Sequence, residues 1–198
     1  MSLFRRAVVA ALGSALIGAV PALAQSNRAL VVGVFGGGYT HVNNLNTISG
    51  QTADFRPGFN VGGTVGVQLN NIVSLHSDIT FARSEARGLT PFAGAKVDHL
   101  FYGVHAEVAY QMAAGIKGYA FGGGGVMHIA QTSPQQFTPF NKPAGMLGLG
   151  MFVTVPGSNF DVMLEGKSMV YKFDRAGFDK NLWDVTYAIG LAYRVPLP

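Results

Sequence analysis

Residues 183–195 read WDVTYAIGLAYRV, a stretch in which large apolar side chains alternate with small or polar ones. The apolar row comprises Trp183, Val185, Tyr187, Ile189, Leu191, Tyr193 and Val195. Successive side chains of a β-strand point to opposite faces, so this period predicts a strand with one apolar face. The same period recurs in segments 59–69, 73–84 and 102–112.

Four further segments fit the strand pattern less cleanly, namely 29–40, 118–129, 144–154 and 160–172. Each of the eight segments is near the length of about 9–11 residues with which a tilted strand crosses a bilayer. The connections alternate between long ones (41–56, 86–97, 131–142 and 174–182) and short ones (70–71, 113–116 and 155–159). This layout predicts an all-β fold: a closed eight-stranded antiparallel transmembrane β-barrel of up-and-down topology, with both chain ends on the side of the short turns.

The composition points away from an ordinary soluble enzyme. Of 198 residues, 12% are charged and 27 are glycine, and the chain has no cysteine. Thiol catalysis and disulfide bonds are therefore excluded. The formal charge is +4, but the lysines and arginines are scattered singly, so a nucleic-acid partner is not expected. A soluble barrel of the lipocalin kind would need a charged exterior, and the low charge argues against it.

Residues 1–24 have the three zones of a secretory signal peptide. Arg5 and Arg6 precede the apolar stretch 7–20, and residues 21–24 (PALA) end in a cleavage pattern of small residues. The pattern predicts cleavage after Ala24 and an outer-membrane barrel domain over residues 25–198. The alternative is an uncleaved N-terminal anchor helix.

The small and polar rows are predicted to face the lumen, because the interior of an eight-stranded barrel is just wide enough for side chains to fill. Strict alternation then places these charged and histidine residues inside: His76, Asp78, His105, Glu107, His128, Asp161, Glu165, Lys167, Asp184 and Arg194. Buried charges are costly unless they are paired. If the two strands that flank a predicted loop pair symmetrically about it, three pairs of residues lie directly opposite each other. These are His76–Glu107, Asp78–His105 and Asp161–Arg194. Outside, Trp183 and Tyr193 are predicted to lie in the two aromatic girdles of the membrane surface.

Three features of the chain resemble a known family: the leader, the sequence KGYAFGGGG at residues 117–125, and the last strand with Gly190, Tyr193 and Val195. Together they resemble the small OmpA/OmpX-type and opacity-like outer-membrane barrels of Gram-negative bacteria. The resemblance implies a monomer in the outer membrane, in contact with membrane lipid and lipopolysaccharide. It also implies transit with periplasmic chaperones and the barrel-assembly machinery, for which Gly190, Tyr193 and Val195 look like the recognition signal. The ending Pro196-Leu197-Pro198 departs from the family's usual aromatic terminus.

The expected function is non-catalytic, either structural or in surface interaction, with no catalytic residue, cofactor or metal predicted. The first alternative is a lipid-modifying acyl hydrolase or acyltransferase. Its nearest candidate is His76-Ser77-Asp78, where Ser77 would point away from its neighbours. A serine hydroxyl within hydrogen-bond reach of a histidine near the rim would favour that alternative.

Three other interpretations remain open. A narrow porin is disfavoured, because eight strands leave no open aqueous channel. The two His–acid pairs in the lumen could instead bind a metal such as zinc. The residues of the long loops that could contact a surface partner are Phe137, Phe140, Arg175, Asp179 and Lys180.

Overall fold

The computed structural model describes residues 28–44, 46–48, 51–88, 93–133, 138–174 and 179–197. The predicted signal peptide at residues 1–24 lies outside these ranges. Within the described ranges, no helix is long and apolar enough to cross a membrane.

The described residues form nine antiparallel strands: β1 (Ala29–His41), β2 (Asn46–Ile48), β3 (Gln51–Gln68), β4 (Val73–Arg87), β5 (Lys96–Ala113), β6 (Ile116–Ser133), β7 (Phe140–Thr154), β8 (Phe160–Phe173) and β9 (Lys180–Pro196). The short β2 pairs with β3. The other eight strands form a ring in which each pairs with its neighbours along the chain, and β1 pairs with both β3 and β9. The prediction of a closed eight-stranded up-and-down barrel is therefore confirmed.

The barrel has a turn end and a loop end. The short connections at residues 69–72, 114–115 and 155–159 lie at the turn end, together with both ends of the described chain. There Ala29 is paired with Pro196, and the Leu197 amide donates to the carbonyl of Arg28. Every long connection lies at the loop end, as the alternation of loop lengths predicts.

Two hairpins are shifted by two residues relative to the predicted pairing. His105 lies opposite His76 in β4–β5, and Ala192 lies opposite Asp161 in β8–β9. The direct oppositions predicted from symmetric loops are therefore wrong. The cause is that strands continue into the segments predicted as loops; β9, for example, begins at Lys180 rather than at Trp183. A shift of two residues leaves every side chain on its predicted face.

The outer surface carries an apolar band. In β5 the outward-facing residues of the band run from Leu100 to Tyr110. In β4 they run from Val73 to Phe81, and the next outward-facing residue, Arg83, is charged. Outward side chains of this band are well exposed, for example Val104 at 64%. The band spans about 9–11 residues per strand, which matches the hydrocarbon thickness of a bilayer.

Beyond the band the strands form a charged wall at the loop end. Strands β3, β5 and β6 are 18 residues long each, well beyond what a bilayer requires. Outward residues of β3, β4 and β5 form the cross-strand ion pairs Arg83–Asp98, Arg56–Glu85 and Arg87–Asp54. In the last pair, hydrogen bonds to the Asp54 carboxylate raise the pKa of Arg87 above its usual value.

A β-bulge between Arg56 and Phe59 changes the alternation within β3. On the turn side of the bulge even-numbered residues such as Asn60 are buried in the lumen, whereas on the loop side Phe55 is buried. The bulge contains Pro57 and Gly58, and an added residue of this kind swaps the faces of everything beyond it. An uninterrupted alternation would have placed Phe55 outside the barrel.

Many glycines lie in the strands, and several make room for aromatic rings. A Cβ atom on Gly148 would lie 2.3 Å from the ring of Phe121, and one on Gly62 would lie 2.5 Å from the ring of Phe35. On the outer surface the ring of Tyr187 covers Gly38 in the same way, at 2.2 Å. Glycine thus lets bulky rings lie flat against the wall of a narrow barrel.

Candidate functional site in the filled lumen

The middle of the lumen holds a charged layer with Lys167 at its centre. The ammonium group lies 2.7 Å from Oδ2 of Asp78 and 3.3 Å from Oε1 of Glu165, and the Lys167 side chain is fully buried. It also lies 4.9 Å from the ring centroid of Phe35, within cation–π distance. Strands β4 and β8 lie on different sides of the ring, so this cluster ties opposite walls together.

Two stacked histidines extend the charged layer. The rings of His76 and His105 are parallel, with centroids 5.2 Å apart. Nε2 of His76 lies 3.9 Å from Glu107, and Nδ1 of His105 lies 3.6 Å from Asp78. The two predicted His–acid pairings thus occur as diagonal neighbours rather than as directly opposed pairs.

A second charged pair closes the turn end of the lumen. Nε of Arg194 lies 2.8 Å from Oδ2 of Asp161, and the hydroxyl of Thr154 donates to Oδ1 of the same carboxylate at 2.7 Å. The guanidinium group also lies over the ring of Phe152, 5.6 Å from its centroid. Asp161 and Arg194 therefore meet, although they are not opposite each other in the ladder.

The lumen has almost no free space around these groups. A cavity of about 20 Å³ lies beside Glu107 and Arg194, and one of about 10 Å³ lies beside Asp78. A single water needs about 10–15 Å³. The charged layer therefore leaves room for about one water in each cavity rather than for a channel.

The loop half of the lumen is lined largely by aromatic and aliphatic side chains around one polar cluster, which corrects the expectation of a polar interior. Its fully or nearly fully buried side chains are Tyr39, Phe55, Phe101, Met127, Ile129, Phe140, Met169, Tyr171, Phe173 and Leu182. Phe140, predicted as an exposed loop residue, begins β7 and packs edge-on against Phe173. Phe137 and Arg175 lie outside the described residues, and Lys180 begins β9.

His128, by contrast, lies on the outside. Its neighbours Met127 and Ile129 in β6 are fully buried, so His128 points away from the lumen and hydrogen-bonds Asn141 of β7 at 2.7 Å. The prediction that His128 faces the lumen is wrong. The odd-numbered residues of β6 face the lumen, so the even-numbered His128 faces outward. Outside as well, Asp179 forms an exposed ion pair with Lys172.

A second polar group, the loop-end cluster, is formed by Tyr39, His41, Ser84, His99 and Asp184. Asp184 lies opposite His41 in the β1–β9 ladder, and its Oδ1 atom contacts Nδ1 of the imidazole. The hydroxyl of Tyr39 donates to the other carboxylate oxygen at 2.5 Å. Only Asp184 of these five was singled out from the sequence.

The other histidine of the cluster is an unusual buried group. His99 is 1% exposed, and among the residues that the structure describes neither of its ring nitrogens has a hydrogen-bond partner. His99 lies on the same face of β5 as His105, six residues closer to the N-terminus. Extending the predicted strand in that direction would have identified His99 from the sequence. The row of Phe35 in β1 likewise leads to Tyr39 and His41.

One contact in this cluster is the type that would favour a lipid-modifying enzyme. Oγ of Ser84 lies 3.5 Å from Nε2 of His41, whose other ring nitrogen contacts Asp184. The contact between His41 and Asp184 lacks hydrogen-bond geometry, and Ser84 is only 3% exposed. The predicted candidate His76-Ser77-Asp78 does not assemble, since Ser77 points outward and its two neighbours are buried.

The predicted girdle and terminal-strand residues lie on β9. Trp183 and Tyr193 are both on the outer face, 48% and 39% exposed. Ten residues of a strand tilted by about 40° rise about 25 Å, which is the usual height of the apolar band. Gly190 faces inward, where a Cβ atom would lie 2.4 Å from the carbonyl oxygen of Val34, while Val195 is on the outer face.

Comparison with known proteins identifies the fold but no sequence relative. No protein-family profile matches the chain, and no protein with a curated function matches it in sequence. Among solved structures, Neisserial surface protein A superposes with a TM-score of 0.59 at 10% identity, covering 86% of this chain and 98% of its own. The N-terminal β-barrel domain of OprF from Pseudomonas aeruginosa gives 0.56 at 12% identity, covering 86% and 100%.

A third structure, the outer membrane protein OprG from Pseudomonas aeruginosa, superposes with a TM-score of 0.53 at 13% identity, covering 87% of this chain and 98% of its own. The matches span the complete length of these small barrels, so they compare whole folds rather than fragments. The chain has the fold of the small OmpA/OmpX-like outer-membrane β-barrels.

Proposed function

We propose that this protein is an integral outer-membrane barrel with a non-catalytic role, structural or in surface interaction. The observation that carries the proposal is the combination of a continuous apolar band outside with a lumen filled by paired charges inside. Apolar residues around the whole circumference suit hydrocarbon as solvent. The filled lumen argues against transport of solutes through the barrel.

The location can be tested by fractionation and gel mobility. The protein is expected in the outer-membrane fraction, and it should migrate faster on a gel before heating than after, because a closed barrel stays folded in detergent. Recovery in the soluble periplasmic fraction, with no heat-dependent change in mobility, would disprove the membrane assignment.

The filled lumen can be tested in planar bilayers. We expect no steady single-channel current from the purified wild-type protein, because the two cavities beside the charged layer have room for only about one water each. A steady current carried by the folded wild-type protein would replace this proposal with that of a narrow porin.

The surface role is supported by the charged wall at the loop end. The pairs Arg83–Asp98 and Arg87–Asp54 lie beyond the apolar band, so the wall rises above the membrane surface. Its residues lie in paired strands, which suits contact with the polar headgroups of neighbouring lipopolysaccharide. A strain without the protein is then expected to admit large hydrophobic antibiotics more readily, and wild-type protein should restore the barrier.

The lipid-modifying enzyme remains the second candidate, because Ser84, His41 and Asp184 lie in the order of a catalytic triad. Ser84 lines neither of the cavities beside the charged layer, and its side chain is buried. We therefore expect the Ser84→Ala variant to restore the barrier as well as the wild type does. Mass spectrometry of lipopolysaccharide should show no acyl chain gained or lost; a change that depends on Ser84 would favour the enzyme.

A further inference from the structure

The loop-end cluster contains a buried carboxylate that contacts a histidine but, among the described residues, pairs with no lysine or arginine. Asp184 is fully buried, and its described neighbours include the hydroxyl of Tyr39, the ring of His41 and Tyr171. Buried carboxylates are usually paired with a cation or coordinate a metal. The nearby buried lysine, Lys167, is already engaged by Asp78 and Glu165 in the charged layer.

The second observation is that the imidazole of His99 has no hydrogen-bond partner among the described residues. Both ring nitrogens of His99 are buried without a hydrogen bond, and Nδ1 of His41 faces Asp184. Leaving such groups unsatisfied costs about 1–3 kcal/mol each. Neutral imidazole nitrogens of this kind are the commonest protein ligands of transition metals.

The third observation is distance. One nitrogen of His41, one nitrogen of His99 and one oxygen of Asp184 all lie within 4.8 Å of one another. Tetrahedral coordination at about 2.1 Å places ligand atoms about 3.4 Å apart. The largest distance between the ligand atoms would therefore shrink by no more than about 1.4 Å when a metal binds. Nδ1 of His41 and Oδ1 of Asp184 are now closer than two ligand atoms of one ion, so they would move slightly apart.

We propose that His41, His99 and Asp184 form a binding site for one divalent transition-metal ion, with zinc as the first candidate. Two imidazoles, one carboxylate and an open position make up the donor set of many zinc sites, and of some iron and manganese sites. No catalytic role is assigned to the ion.

Neighbouring residues already orient two of the three ligands. The hydroxyl of Tyr39 donates to Oδ2 of Asp184, which leaves Oδ1 for the metal. Nε2 of His41 lies near the hydroxyl of Ser84, which leaves Nδ1 for the metal. Hydrogen bonds of this kind commonly fix the orientation of metal ligands.

The three ligands come from opposite walls of the barrel. His41 ends β1 and Asp184 lies opposite it on β9, at the seam where the first and last strands meet. His99 is on β5, on the far side of the ring. A bound ion would therefore link the closing seam to the facing wall and stabilise the folded barrel.

The site can be tested on untagged protein purified in detergent and treated with a chelator. Zn²⁺, Co²⁺ and Mn²⁺ are added separately, and the unfolding midpoint is followed by the heat-dependent change in gel mobility. We expect Zn²⁺ to raise the midpoint and to bind at one ion per chain, and Co²⁺ to give the visible absorption of a tetrahedral or five-coordinate site.

His99→Gln and Asp184→Asn should abolish both the shift and the cobalt absorption, while His76→Gln serves as the matched control. His76 is also a buried lumen histidine beside an acid, but it lies in the charged layer, so the variant should bind metal normally. If either ligand variant fails to fold, Tyr39→Phe should still fold and bind about 10–100-fold more weakly.

Two outcomes would overturn the proposal. The first is that folded wild-type protein, refolded in the presence of each metal, binds none of the three and shows no shift of its midpoint. The second is that His76→Gln removes metal binding while His99→Gln retains it, which would place the ion in the charged layer.

Discussion

Lys167 and Asp78, 89 positions apart in the chain, form a direct hydrogen bond of 2.7 Å inside the barrel. Both side chains are almost completely shielded from solvent. Their pairing allows a charged layer to exist in the middle of a narrow barrel, and Glu165 shares the same ammonium group.

Removing the cation should therefore destabilise the barrel strongly. Lys167→Met leaves two carboxylates buried without their partner, and we expect a loss of about 3–5 kcal/mol in the free energy of unfolding. Urea unfolding followed by the fluorescence of Trp183, the one tryptophan of the chain, measures this loss.

Lys172→Met is the matched control, because Lys172 forms an exposed ion pair with Asp179. Exposed pairs contribute about 0–1 kcal/mol. Equal stabilities of the two variants would show that the charged layer contributes nothing to folding.

The strand register can be tested with engineered disulfides, since the natural chain has no cysteine. Ile79 and Tyr102 lie directly opposite each other on the outer face of β4 and β5. The double variant Ile79→Cys with Tyr102→Cys should cross-link under mild oxidation, because opposed Cβ atoms are about 4.5–5.5 Å apart.

Ile79→Cys with Val104→Cys tests the register predicted from symmetric loops. In the structure Val104 lies opposite Ser77, so this pair is diagonal and should cross-link much more slowly. Faster cross-linking of the diagonal pair, seen as a shift on a non-reducing gel, would contradict the observed register.

Two glycines of neighbouring strands should respond differently to substitution by alanine. A Cβ atom on Gly123 would lie 2.1 Å from the carbonyl oxygen of Val104, whereas one on Gly145 meets nothing within 4 Å. We expect Gly123→Ala to cost about 1–3 kcal/mol of unfolding free energy, since backbone must move to accommodate the methyl group.

Gly145→Ala should change the stability by less than about 0.5 kcal/mol, as surface substitutions usually do. Urea unfolding of both variants gives the comparison. Similar losses in the two would mean that close approach of the strands is not the reason for glycine at position 123.

The depth of Trp183 in the membrane provides a further prediction. Because it lies at one edge of the apolar band, lipids brominated near the headgroup should quench its fluorescence more than lipids brominated near the chain ends. The double variant Trp183→Phe with Ile189→Trp moves the fluorophore toward the middle of the band and should reverse this preference. The same preference in both proteins would contradict the proposed position of the band.

The sequence predicted the topology and most of the faces, because alternation is a local property. It did not predict the register of the β4–β5 and β8–β9 hairpins, which depends on where each strand stops inside a polar segment. The bulge at Pro57 and Gly58 likewise reverses the alternation without any change in hydropathy that would reveal it.

The candidate sites were only partly accessible from sequence. The charged residues and histidines of the charged layer could be assigned to the lumen from the sequence because they lie well inside the predicted strands. His41 and His99 lie in strand ends that resemble loops, so their contact with Asp184 required the three-dimensional structure. Phe140 was misplaced for the same reason: an aromatic residue beside prolines suggests a loop until the strand is seen to extend through it.

The closure of the ring by β1 and β9 has a consequence for biogenesis. β1 is the first strand of the barrel to be synthesised, yet one of its edges stays unpaired until β9, the last strand, becomes available. Throughout that interval its backbone groups are open to pairing with another chain, and residues 36–38 are all glycine, which offers no bulky side chain to block such pairing. We therefore expect aggregation during transit to begin at β1, and factors that shield this segment to determine the yield of folded protein.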